Sequence, residues 1–184
     1  MLWLVLWTAG TILGGSLPSR ATETPSLEYK VKAAYLYNFA KFVEWPLKRF
    51  PEPDSPIIIG VVGEDPFGNV LDETVRGKSI NGRKIIIRRL APGEGLTQCH
   101  LLFISRSLRD SLDSLLAGLA KESVLTVSEI EKFAMRGGMI NFVIANESVK
   151  CEINLDAAER SGLKISSKLS SVARVVKSET ASPN

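Results

Sequence analysis

The stretches that most restrict the fold are short, continuous and apolar. Residues 57–62 (IIIGVV) place five β-branched side chains in six positions, and a strand without polar alternation is one buried on both faces. Residues 84–89 carry Ile85, Ile86 and Ile87, residues 100–104 read HLLFI, and residues 124–127 form a fourth short run. Helical spacing lies between them: Leu108, Leu112, Leu115, Leu116 and Leu119 recur at three- and four-residue steps across residues 107–120. Strand alternating with helix predicts a doubly wound α/β fold, with a mixed, mostly parallel sheet of about five to six strands flanked by helices.

The flanking segments fit that plan. Residues 28–45 predict a helix with Val31, Ala34, Tyr35, Asn38, Phe39 and Phe42 on its sheet-facing side, ended by Pro46. Asp65 and Pro66 open a short helix to about residue 75, with Asp65 as its cap. Ser128 with Glu131 three residues on reads as a capping box for a helix over 129–135, stopped by Gly137 and Gly138. Residues 139–145 and 149–155, joined by Asn146, Glu147 and Ser148, predict a C-terminal β-hairpin. Asp156 then caps a helical turn, residues 168–176 form a last helix, and residues 177–184 a polar, frayed tail.

One domain is expected over residues 22–184, because about 160 residues suit a single core. Residues 2–17 are apolar but short for a membrane span of about 20 residues. Ser19 and Ala21 suit cleavage after Ala21, so residues 1–21 read as a signal peptide, although no Lys or Arg precedes the apolar run. An uncleaved anchor is the alternative; after cleavage no membrane insertion is expected. The net charge of +3 comes from cations spread along the chain, so nucleic acid is not an implied partner.

The chain is poor in reactive groups. Its single histidine, His100, adjoins Cys99, but successive strand residues point to opposite faces and cannot share a proton. One histidine and two distant cysteines do not make a zinc site, and no metal or cofactor is expected. Gly60, Gly63 and Gly68 follow a strand without the spacing of a dinucleotide or phosphate loop. Glu64 and Asp65 suggest the acidic pocket of phosphoreceiver domains, yet the later strand that should end in an aspartate ends Ile104, Ser105, Arg106. No catalytic residue is assigned and no enzyme is expected. Cys99 and Cys151 are read as redox or disulfide candidates: a mutual disulfide, buried thiols and an accessible thiol all stay open.

Four segments together carry a resemblance: YKVKAAYLYNFAKFVEWP (29–46), IGVVGEDPFG (59–68), GGMINFVI (137–144) and EINLDAAERSGLKISSKL (152–169). In this order and spacing they resemble the YfiR-like family of bacterial periplasmic proteins. The resemblance implies an α/β sandwich, located in the periplasm, that binds the periplasmic domain of an inner-membrane diguanylate cyclase and inhibits it, so controlling cyclic di-GMP and biofilm formation. In that family disulfides link the repressor to redox state, whereas this chain has two cysteines only. The expected partner surface is Glu159, Lys164, Ile165 and Leu169; a homodimer stays open. The alternative is a periplasmic small-molecule sensor acting with a membrane receptor or sensor kinase, its ligand held near Gly63, Asp65, Gly68 and Ser105 at the carboxyl ends of the strands.

Overall fold

The apolar runs assemble side by side, as their burial requires. A computed structural model describes residues 26–178; the signal-peptide expectation for residues 1–21 and the last part of the expected tail lie outside them. The elements are α1 (Leu27–Phe42), β1 (Val43–Glu44), β2 (Ile57–Val62), α2 (Asn69–Val75), β3 (Ser79–Ile80), β4 (Arg83–Leu90), β5 (Leu101–Ile104), α3 (Leu112–Leu119), β6 (Leu125–Ser128), β7 (Ile140–Ala145), β8 (Ser148–Ile153), α4 (Leu155–Arg160), β9 (Lys164–Ile165), α5 (Ser167–Ser170) and β10 (Arg174–Val175). Eight strands form one sheet in the order β10-β8-β7-β6-β5-β2-β4-β3. From β4 through β2, β5 and β6 to β7 every pairing is parallel, and β8 returns antiparallel to β7 as the expected hairpin. The sheet exceeds five or six strands because β3 and β10 hold two residues each, too few to leave a periodic signal.

Alternation along the strands separates two cores. Leu101 and Phe103 of β5 face the side covered by α1, α2 and α4, while Leu102 and Ile104 face α3. Phe39, Leu71 and Phe103 are fully buried on the first side, Leu112 and Phe133 on the second. Each such side chain contributes roughly 1.5–3 kcal/mol. Two-sided burial explains why β2 and β5 read as unbroken apolar runs.

Several local expectations are corrected. Helix α1 ends at Phe42, and Val43 and Glu44 instead pair with Ile165 and Lys164 in a separate two-stranded ribbon. Its buried side is Lys32, Ala33, Leu36, Phe39 and Ala40, whereas Val31, Ala34 and Asn38 are exposed. Residues 131–137 are a series of turns, not a helix, with Lys132 at φ 59. Ser128 Oγ accepts from the Ile130 amide and donates to the Ile104 carbonyl, and Glu131 pairs with Arg109, so no capping box forms. The helix expected over 107–120 opens as a 3-10 segment, Arg106–Ser111, before α3.

Side-chain caps and ends also move. Asp65 accepts from the Phe67 amide at 2.8 Å, closing a turn ahead of α2, whose N-cap is Gly68. Asn154, not Asp156, caps α4 by accepting from Ala157. The last expected helix is broken into α5 and the edge strand β10, since Val176 donates to the Ile153 carbonyl. The hairpin turn has positive φ at Asn146 (49°) and Glu147 (57°), the tight two-residue geometry that matches strand twist.

Candidate functional site

The hairpin outruns its neighbour. Strand β7 pairs with β6 only at Val127↔Ile140 and Ser128↔Asn141, so residues 142–145 continue past the end of β6 as a wall. Opposite stand the 3-10 segment that leaves β5 and the turns that leave β6. Between them opens a groove of about 590 Å³ whose lining includes Lys32, Arg106, Arg109, Glu129, Phe142 and Arg174. Asn141 braces the base, its amide nitrogen donating to the carbonyls of Ser128 (3.1 Å) and Ile130 (3.0 Å).

A buried ion pair forms the floor. Lys32 is 1% exposed, and an ammonium taken out of water costs several kcal/mol unless carboxylates and further bonds satisfy it. Its Nζ meets both Glu28, one helical turn back, and Glu129, which enters from the turn after β6. The Tyr29 hydroxyl donates to Glu129 Oε1 at 3.1 Å, and Lys32 Nζ lies 4.7 Å from the Tyr29 ring centroid. Burial, then the Glu129 charge, pushes the Tyr29 hydroxyl up to about 12. It therefore stays a donor at neutral pH.

The rim is basic and loosely paired. Arg106 Nε stands 3.7 Å from Glu129, and Arg109 Nη2 3.6 Å from Glu131, with both guanidinium side chains mostly exposed. Those separations are longer than a hydrogen bond. Arg174, on edge strand β10, pairs with buried Glu152 of β8. Among the described residues five cationic side chains line the groove against three carboxylates, a positive surplus.

The expected partner residues occupy a different place. Glu159 and Lys164 are exposed and Ile165 is half-buried beside Val43; these three line a hollow of about 340 Å³ at the end of α4. Leu169 lies beneath, 4% exposed and part of the core. The residues of the alternative ligand site lie close along the chain and in space, but polar atoms of Asp65, Gly68 and Ser105 are taken up by the neighbouring Phe67, Arg89 and Ser107. Ser107 Oγ accepts from the Glu64 amide at 3.0 Å, and a side chain on Gly63 (φ 89°) would come 2.6 Å from that oxygen. The Ser107 amide donates to Ser105 Oγ, while Arg89 binds Asp65, Asp72 and the Gly68 carbonyl. The hydrogen bonds from Arg89 hold the Asp72 carboxyl below its ordinary range.

Cys99 and Cys151 are free, buried thiols in the two separate cores, on opposite sides of the sheet. Burial pushes them up to about 11 and about 12, which keeps them protonated and unreactive near neutrality. His100, 3% exposed, accepts from the Ile58 amide through Nδ1 at 3.1 Å and stacks on Phe50 with centroids 4.7 Å apart. Its Nε2 has no hydrogen-bond partner among the described residues. Among the described residues no group of three or more His, Cys, Asp and Glu could hold a metal ion.

Sequence reasoning missed Lys32, Glu129, Arg106 and Arg109. The one local signal was Glu28 four residues before Lys32, a spacing that marks a helical ion pair but not its burial.

No helix of the described residues is long and apolar enough to cross a membrane. No curated protein matches the chain in sequence. The family described as YfiR/HmsC-like matches residues 29–174, which spans the sheet from β2 to the edge strand β10, together with the groove. The chain belongs to the YfiR/HmsC-like family.

Proposed function

We propose that this chain is a non-catalytic periplasmic regulator that binds the periplasmic domain of an inner-membrane diguanylate cyclase and holds it inactive, restraining cyclic di-GMP production and biofilm formation. The family acts with partner proteins in cyclic di-GMP signalling. The observation that carries the reading is the open groove between the hairpin and the turns after β5 and β6, with its exposed guanidinium rim. It offers a surface that a partner protein can touch.

The experiment is deletion of the gene together with co-purification of the tagged chain from solubilised membranes. Raised cyclic di-GMP in the deletion strain and recovery of a cyclase with the tagged chain are the expected results. Unchanged cyclic di-GMP and no associated cyclase would overturn the proposal. The surface formed by Glu159, Lys164 and Ile165 is a second candidate contact, supported by its exposure. An Ile165→Asp variant that folds and still captures the cyclase removes it.

A further inference from the structure

The charge surplus of the groove sits at its rim, not at its floor. Lys32 is consumed by Glu28 and Glu129, and Glu129 also takes the Tyr29 hydroxyl. Arg106 and Arg109, at 3.7 and 3.6 Å from their carboxylates, make ion pairs too long for hydrogen bonds. A guanidinium is a planar fork suited to gripping a carboxylate through two parallel bonds. Two such groups line the same groove.

The groove does not end there. A second hollow of about 410 Å³ shares Val143, Glu152 and Arg174 with it and adds Ala145, Cys151 and Val172, with Lys150 beside them. Ile144, which lines the groove, and Val172, which lines the second hollow, are 57% and 72% exposed, an apolar margin that a lone anion would leave in water. Charged and apolar hollows joined by a common wall fit a chain that carries both kinds of side chain.

We infer that the groove receives an extended segment of a partner protein in which carboxylate side chains meet Arg106 and Arg109 and a neighbouring apolar side chain enters the hollow beside Val143 and Val172. This rests on the reading of the chain as a partner-binding regulator, and it specifies the chemistry of the partner's contact.

The test titrates a fluorescein-labelled peptide, acetyl-Glu-Glu-Leu-Leu-Glu-Glu-amide, onto the exported chain by anisotropy. Saturable binding is expected, weakened at least tenfold in R106E/R109E and unchanged in R76E/K84E, which reverses cations at the far edge of the sheet. The milder R106Q/R109Q pair, with circular dichroism on every variant, separates loss of binding from loss of fold. No binding at millimolar peptide, or equal loss in the far-edge variant, overturns the inference. Equal binding of free glutamate overturns it in favour of a small-anion site. Capture of the cyclase that R106E/R109E leaves intact removes this inference alone, whereas peptide binding without any cyclase capture removes the proposed function alone.

Discussion

At the two ends of the sheet a basic nitrogen is buried against aromatic rings, and the fold treats the two oppositely. Lys32, at the carboxyl ends of the parallel strands, meets two carboxylates and the Tyr29 ring. His100, at the start of β5, meets Phe50 and Trp45 instead, and the charges that reach it are the cations Arg49 and Arg83. Burial, reinforced by Arg49, drives His100 down to about 4. The same cost of placing a cation out of water is thus met by counter-charge at one end and avoided by staying neutral at the other. The first solution leaves charge beside an open groove; the second leaves a plug.

The sharpest way to break the contrast is to strip Lys32 of its role. Lys32→Ala leaves Glu129 buried beside a void, and urea unfolding should show a loss of about 3–5 kcal/mol. The paired change Lys32→Met with Glu129→Leu removes both charges and should recover most of that loss. A cost well under 1 kcal/mol for Lys32→Ala alone would mean the ion pair is not the constraint described.

The histidine end predicts a pH dependence of definite sign. A folded value near 4 against 6.5 for the free ring means the unfolded chain takes up the proton first. The contribution is therefore complete above about pH 6.5 and drains away as pH falls toward 4, by on the order of 3 kcal/mol. Unfolding midpoints measured between pH 7 and 4 should show it. His100→Gln, which can still accept from the Ile58 amide but does not titrate, should flatten the slope, and an unchanged slope would place the acid sensitivity elsewhere.

Trp45 closes the same plug by donating from its indole nitrogen to the His100 carbonyl at 2.9 Å. Trp45→Phe keeps the ring edge but loses the bond, and thermal unfolding should report about 1 kcal/mol. The smallest effect concerns the thiols, one in each core. Iodoacetamide at pH 7.5 should leave Cys99 and Cys151 unmodified in the folded chain and label both in urea; rapid native labelling of either would show that its core opens.

The parallel strands were legible because burial on both faces leaves an unmistakable run, as in Ile57–Val62. The hairpin was legible too, from a short polar turn between two apolar runs, with Asn146 suited to the positive φ it adopts. The groove was not. Local patterning places a lysine on the wet side of a helix, whereas the buried side of α1 includes Lys32. The reason lies in Glu129, far along the chain, and periodicity carries no knowledge of so remote a counter-charge. The stretch after Ser128 also misled: Glu129 turns inward to reach Lys32, and the backbone then passes through positive φ at Lys132, which no helix accommodates. Edge strand β10 was hidden by its brevity and by exposure of both its residues.

The small ribbon of β1 and β9 joins the residues that follow α1 to residues about 120 positions further on. A polypeptide appearing amino-terminus first cannot fasten this clasp until residues 164–165 have emerged. Until then Phe39 and Ala40 wait without α5 and the last strands to close over them. The core beneath α1 consequently closes only after the strands between the two halves of the clasp have been made.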